Sequence, residues 1–149
     1  MNPWRVILQQ MFLAFVFAML PSAASFAQSN PSERLRVVLK GHDPVAYFTD
    51  KRPVMGTPNI KYDWDEGRYL FSNAKHREMF VSNPDRYAPQ FNGFCTAGMS
   101  KGKRFEANPE IWMIVDGKLY TFASPKAKEM AQADPGVFVR AAKNWQEKK

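Results

Sequence analysis

Two stretches of this chain resemble each other when they are aligned so that Asp65 is matched with Asp116. The other matches are Tyr69 with Tyr120, Phe71 with Phe122, Lys75 with Lys126, Glu78 with Glu129, Met79 with Met130, Pro84 with Pro135 and Tyr87 with Phe138. Repetition of one supersecondary unit indicates pseudo-symmetric packing, in which each half covers the apolar face of the other. The halves are expected at about 41–99 and 108–149. Several matched positions are also ones that any hairpin followed by a helix favours, which is the alternative explanation.

Alternating apolar and polar residues predict two β-hairpins. The first runs from 60 to 71, and the second runs from 111 to 122. The second turns at Asp116-Gly117, a dipeptide that favours two-residue hairpin loops. A short strand is expected before the hairpins, at 35–39, and Asp43 with Pro44 predicts a helical turn after that strand.

A helix follows each hairpin in the predicted order of elements. Asn73 or Ser72 caps a helix over 74–82, and Ser124 with Pro125 begins a helix over 125–133. A last helix starts at Asp134-Pro135, and its apolar stripe consists of Phe138, Ala141, Ala142 and Trp145. The sequence therefore predicts an α+β fold of two hairpin–helix repeats packed around one aromatic core, extended by a C-terminal helix.

Residues 1–27 have the three-part order of a secretory signal peptide. Arg5 precedes an apolar run over 6–20, and the run is followed by a Ser25-Phe26-Ala27 cleavage signature. A membrane anchor is the alternative, but the run is shorter than the about 20 residues that a bilayer-spanning helix needs. We therefore expect cleavage after Ala27, a polar lead-in at 28–34 and one domain over 35–149. That domain should be soluble in the periplasm or secreted, without a stable membrane anchor.

The net charge of the whole chain is +7, which favours anionic partners. The charges are scattered, however, and the stretch Lys101-Gly102-Lys103-Arg104 is the one basic cluster in the sequence. A solvated loop explains that cluster better than nucleic-acid binding, which is not expected outside the cytoplasm.

The chain has a single cysteine, Cys95. Small exported domains usually contain disulfides, but a lone cysteine cannot form one within its own chain. Such a thiol is either buried, chemically active, or paired with a second chain, which would produce a homodimer. Both histidines and Cys95 lie in the first repeat half, and His76 corresponds to Ala127 in the second. We therefore expect a functional site in one half only.

Several motifs resemble the YHS domain, a short module associated with heavy-metal handling. They are Asp43-Pro44-Val45, Tyr69-Leu70-Phe71-Ser72, His76-Arg77-Glu78-Met79-Phe80 and Asn83-Pro84-Asp85-Arg86-Tyr87. The stretches 41–48, 92–95 and 116–120 are similar to a group of exported bacterial YHS-domain proteins. YHS modules proposed to bind metal have one Cys after Asp-Pro-Val and two at the start of the helix. This chain has Ala46, Ser72 and His76 at those positions.

A replacement set of metal ligands is available in His76, Cys95, His42 and Met99. Two imidazoles, one thiolate and one thioether suit copper, and less exclusively zinc. His76 shares a helix face with Phe80 and should point toward the core. The sequence therefore predicts a periplasmic protein that binds or handles a transition metal, copper preferred.

The same residues support two other functions. In one, the domain is a non-catalytic interaction or small-ligand-binding module, with Cys95 buried as a small apolar residue and an unknown periplasmic partner. In the other, it is a thiol-dependent enzyme or redox sensor, in which a neighbouring imidazole activates Cys95. The sequence contains no phosphate-binding Gly loop, zinc-protease helix motif or Ser nucleophile elbow, so binding is expected rather than catalysis.

Overall fold

The strands and helices of the chain follow the predicted order. The computed structural model describes residues 35–148, which contain five β-strands, six α-helices and two 3₁₀ turns. The strands are β1 Arg36–Val37, β2 Thr57–Trp64, β3 Gly67–Phe71, β4 Asn108–Val115 and β5 Lys118–Phe122. The helices are α1 Ala46–Thr49, α2 Ala74–Ser82, α3 Pro84–Tyr87, α4 Thr96–Met99, α5 Pro125–Ala133 and α6 Gly136–Glu147, and the 3₁₀ turns are Val38–Gly41 and Gln90–Gly93. The predicted α+β class is confirmed. The predicted signal peptide, 1–27, and lead-in, 28–34, lie outside the described residues.

The strands form two separate sheets. The first has the order β1-β3-β2, with β1 parallel to β3 and β2 antiparallel to it. The second consists of the antiparallel pair β4 and β5. Both predicted hairpins are therefore confirmed. Asp116 and Gly117 both have positive φ, 50° and 73°, which is the conformation that a two-residue hairpin turn requires.

Side-chain caps set the helix starts that the sequence predicts. Asn73 Oδ1 accepts a 2.8 Å hydrogen bond from the backbone N–H of His76, and Ser124 Oγ accepts one of 3.2 Å from that of Ala127. Each cap satisfies a donor that the first helical turn leaves without a partner. Within residues 35–148, no helix combines the length and the apolar character needed to cross a membrane.

The buried apolar side chains form two large clusters, where the sequence predicted one common aromatic core. The first surrounds Phe80, whose ring lies 4.6 Å from that of Tyr69, and it includes Leu119 from β5. The second contains Tyr120 and Phe122 from β5, with Phe91 and Met99 from earlier in the chain. The first cluster thus takes residues from both hairpins, whereas the buried members of the second lie within 91–141. Burial of each large side chain stabilises the fold by roughly 1.5–3 kcal/mol.

Candidate functional site

A buried carboxylate is the centre of the most polar group of side chains in the core. Asp43 is fully buried, and its Oδ1 accepts a 2.9 Å hydrogen bond from Val45 N–H. Its Oδ2 accepts from Ser72 N–H at 2.8 Å and from Ser72 Oγ at 2.7 Å, and it lies 2.7 Å from His76 Nδ1. Burial of a charge is costly unless it is paired and hydrogen-bonded, and this carboxylate has both kinds of partner.

His76 is placed by the first turn of α2, which the Asn73 cap begins and which Ser72 connects to Asp43 through its backbone N–H and hydroxyl. Because a carboxylate only accepts, Nδ1 of His76 is the donor in this contact. Nε2 lies 3.4 Å from Thr49 Oγ1 and 4.0 Å from Asp50 Oδ1. The site is therefore an imidazole oriented by a buried carboxylate, with its second nitrogen directed toward an exposed acid.

His42 repeats this arrangement on the other side of Asp43. Its Nδ1 lies 3.0 Å from the carbonyl oxygen of Leu39, which can only accept, so Nδ1 again carries the proton. Its Nε2 lies 3.6 Å from Glu110 Oε1. Tyr47 packs beside this acid and donates its hydroxyl to Pro109 O at 3.0 Å, and burial raises the pKa of the phenol well above its usual range. Tyr47 is therefore a neutral donor that fixes the start of β4.

Cys95 lies in a different environment from either histidine. Its side chain is only 2% exposed, and it packs in a small cluster with Ala97, Ala107 and Ala127. Met99 is fully buried in the second large cluster. The predicted ligands His42, His76, Cys95 and Met99 thus belong to separate packing groups. Within residues 35–148, no group of three or more His, Cys, Asp or Glu side chains is arranged to hold a metal ion.

The sequence did not identify four polar partners of the histidines: Ser72, Asp50, Glu110 and Asp43. Asp43 was interpreted only as a helix cap. One signal could have identified part of this group. In the alignment that predicts the repeat, Ser72 and His76 are matched with Ala123 and Ala127, so the polar residues occur in one of the two aligned stretches only.

Two clefts lie away from these histidines. The first, of 280 Å³, is bordered by Trp64, Tyr69, Asp85, Lys118 and Trp145 among others. The second, of 420 Å³, lies between the second hairpin and the last two helices, next to Met113 and Phe138. Neither cleft is lined by His42, His76 or Cys95. Comparison of the chain with models of protein families, with curated proteins and with solved structures finds no match.

Proposed function

We propose that this chain is an exported, single-domain protein that binds a transition-metal ion, copper preferred over zinc, through the Nε2 atoms of His76 and His42. One observation carries the proposal. Both histidines have Nδ1 held by an oxygen acceptor, at 2.7 and 3.0 Å, and both direct Nε2 toward an exposed carboxylate. Histidines that ligate metals commonly have this arrangement, because the acceptor fixes the tautomer and makes the ring more basic.

The distance between each histidine Nε2 and its neighbouring carboxylate suits a metal site that has few protein ligands and free coordination positions. Two ligands on one tetrahedral ion lie about 3.3 Å apart when each bond is about 2 Å. The 3.6 Å between His42 Nε2 and Glu110 Oε1 needs a shift of a few tenths of an ångström, and the 4.0 Å between His76 Nε2 and Asp50 Oδ1 needs somewhat more. Glu110 is exposed and can move by a rotamer change, whereas Asp50 Oδ1 must also give up the 2.7 Å hydrogen bond that it accepts from Thr49 Oγ1. Sites of this kind leave positions free for a partner's ligands, as metal transfer requires.

The resemblance to exported YHS-domain proteins agrees with this function, although the ligands differ from the cysteines of that pattern. Cys95 and Met99 have packing roles in the proposal. The predicted signal peptide would bring the protein to the periplasm, where copper is encountered as both Cu(I) and Cu(II).

Metal titration of the variants tests the proposal. Protein purified without chelators should bind about two equivalents of Cu(II), because each histidine offers one oriented imidazole. His42→Ala and His76→Ala should each lose one equivalent, and the double variant should lose both. Cys95→Ala is the matched control and should bind like the parent. A double variant that binds copper and zinc as the parent does would show the assignment to be wrong.

The burial of Cys95 favours a second candidate, an interaction or small-ligand-binding module. In that case the 280 Å³ cleft, bordered by Trp64 and Trp145, is the candidate binding surface. Metal ions would then leave the tryptophan fluorescence unchanged, and the double histidine variant would retain the partner. A Trp145→Ala variant that retains the partner as well would exclude this cleft.

We also infer that the chain arose by internal duplication. Each hairpin has a register shift in its first strand, between Thr57 and Lys61 and between Asn108 and Trp112. Each 3₁₀ turn has three successive residues with positive φ, ending in glycine: Leu39, Lys40, Gly41 and Phe91, Asn92, Gly93. In this correspondence Cys95, Ala123 and Ala127 stand in place of Asp43, Ser72 and His76. This supports a packing role for the cysteine in a half that has lost, or never had, the polar group.

A further inference from the structure

Met55 is an exposed methionine beside His42. Its side chain is 58% exposed, whereas Met99 is fully buried. His42 and Met55 form an isolated antiparallel bridge. Hydrogen bonds flank the pair, from Asp43 N to Val54 O and from Gly56 N to Gly41 O, both 2.8 Å. In such a pair the two side chains project from the same face with Cβ atoms about 5 Å apart.

The position of the methionine is set by close backbone contacts. A Cβ added to Gly56 would lie 2.5 Å from the carbonyl carbon of Leu70, so the segment after Met55 lies directly against β3. The sulfur of Met55 lies 3.6 Å from where a Cβ on Gly41 would be. The thioether is thus held over the residue immediately before His42, with most of the side chain in contact with solvent.

We propose that Met55 supplies a thioether ligand to the His42 site and raises the affinity of that site for Cu(I) above what imidazole and carboxylate alone provide, without preventing the binding of divalent ions. The inference rests on the proposed function, since it concerns the metal preference of the His42 site. A thioether is a soft ligand that favours Cu(I), whereas imidazole and carboxylate alone suit Cu(II) and Zn(II) as well. The neighbours recorded around His76 are oxygen groups, Asp43, Thr49, Ser72 and Asp50, so this site should prefer the divalent ions.

Glu110 completes the donor group from the neighbouring strand. Its backbone N–H donates to Asn108 Oδ1 at 3.0 Å, and Tyr47 holds the adjacent carbonyl of Pro109. These bonds fix the backbone of Glu110, and its exposed carboxylate lies 3.6 Å from His42 Nε2. The proposed donors are therefore a nitrogen, a sulfur and an oxygen from three segments: the loop before α1, the segment around 55, and β4.

The test is made in a His76→Ala background, so that the His42 site alone is measured. Cu(I) affinity is determined by anaerobic competition with a chromophoric Cu(I) chelator, and Zn(II) affinity by competition with a zinc indicator. Met55→Leu should weaken Cu(I) binding about tenfold or more, equivalent to about 1.4 kcal/mol. Its Zn(II) affinity should stay within about twofold, because the thioether contributes little to a harder ion. In the parent, Cu(I) should also shift the Met55 methyl resonance.

Met130→Leu is the matched control, since Met130 is also exposed, at 41%, but lies on α5. It should bind Cu(I) like the background protein. If Met55→Leu binds Cu(I) as tightly as Met130→Leu, and the methyl resonance does not shift, the thioether proposal is overturned. The proposed function survives that result if His42→Ala still abolishes metal binding. It fails separately if His42→Ala has no effect on either ion.

Discussion

Asp43 carries more of the local structure than any other polar side chain near the histidines. It is fully buried and accepts from Val45, from both donors of Ser72, and from His76. Asp43→Asn replaces one acceptor oxygen with a donor, so at least one buried N–H loses its partner. We expect a loss of about 2–4 kcal/mol in the free energy of unfolding, since breaking a buried charged network leaves unpaired groups.

Urea denaturation measures the effect of that substitution. Ser72→Ala is its control, because the backbone N–H of Ser72 still donates to Asp43. The variant loses the hydroxyl contact to Asp43 at 2.7 Å and an exposed one from Asn73 Nδ2 at 3.1 Å. The control should cost about 1 kcal/mol, the usual value of one hydrogen bond. An Asp43→Asn variant as stable as the Ser72→Ala variant would contradict the central role of this carboxylate.

Cys95 should behave as a small apolar residue. It lies among three alanines, so Cys95→Ala removes one sulfur atom and should cost about 1–2 kcal/mol, whereas Cys95→Ser adds a buried hydroxyl and should cost about 1–3 kcal/mol more. A thiol reagent should react with the parent only at denaturant concentrations that unfold it. Rapid labelling of the folded protein would instead support the thiol-enzyme alternative.

At the scale of elements, the two hairpin turns differ at their second residue, which is Glu66 in the first hairpin and Gly117 in the second. Asp65 and Glu66 have φ of 42° and 64°, and Asp116 and Gly117 have 50° and 73°. Glycine adopts this conformation without steric cost, whereas other residues are strained by roughly 1 kcal/mol or more. Glu66→Gly should therefore raise the free energy of unfolding by about 0.5–1 kcal/mol, measured by urea denaturation.

Gly117→Ala is the converse test. No atom lies within 4 Å of the added Cβ, so any loss of stability comes from the backbone conformation alone. It should cost about 1 kcal/mol. If both substitutions leave the unfolding midpoint unchanged, the turn conformations are not limiting for stability.

Local signals explain why the element order could be predicted. The α2 and α5 helices begin after the expected caps, Asn73 and Ser124, and the second hairpin turns at Asp116-Gly117. These signals depend on residues within a few positions of each other. The positive φ of Phe91 could not be predicted, because a bulky aromatic residue rarely adopts it, whereas Asn92 before Gly93 is a recognisable turn signal.

The candidate site depends on contacts that a single sequence does not reveal. Asp43 and His76 are 33 residues apart, and their pairing follows from how α2 packs against the loop before α1. His42 was predicted as a ligand, but its partner Glu110 comes from the second hairpin. Cys95 was expected near the histidines, and its alanine surroundings follow from tertiary packing. Residue types suggested the chemistry, whereas the fold determined which of them meet.

At the scale of the whole molecule, the two segments are joined by packing and by one long-range ion pair. The first core cluster takes residues from both hairpins, since Leu119 of β5 packs with Tyr69 and Phe71 of β3. Arg36, in β1, makes two hydrogen bonds of 2.8 Å to Glu106, just before β4, and a third of 2.7 Å to Asn92 O. Its guanidinium also lies 4.2 Å from the ring centre of Phe94. Loss of the Arg36–Glu106 ion pair should therefore change the free energy of unfolding of the whole domain.

The pH dependence of stability tests this connection. The hydrogen bonds from Arg36 hold the pKa of Glu106 below its ordinary value of 4.5. A carboxyl whose pKa is lowered by folding stabilises the protein above the unfolded-state pKa, and that contribution is lost as the pH falls through the folded-state pKa. Glu106→Gln keeps the shape and removes the charge. At pH 7 it should cost up to about 1 kcal/mol, because half-exposed pairs are screened by solvent.

The difference between parent and Glu106→Gln, measured by urea denaturation, should therefore be full at pH 6–7 and should shrink as the pH is lowered below 4.5. Asp134→Asn is the control, since the pKa of Asp134 is lowered mainly by Arg140, six residues away on the same surface. That pair is fully local, so removing it should leave the connection between the two segments intact. A stability difference for Glu106→Gln that stays constant down to pH 2.5 would mean that Arg36 acts through Phe94 and Asn92, and that the charge of Glu106 is dispensable.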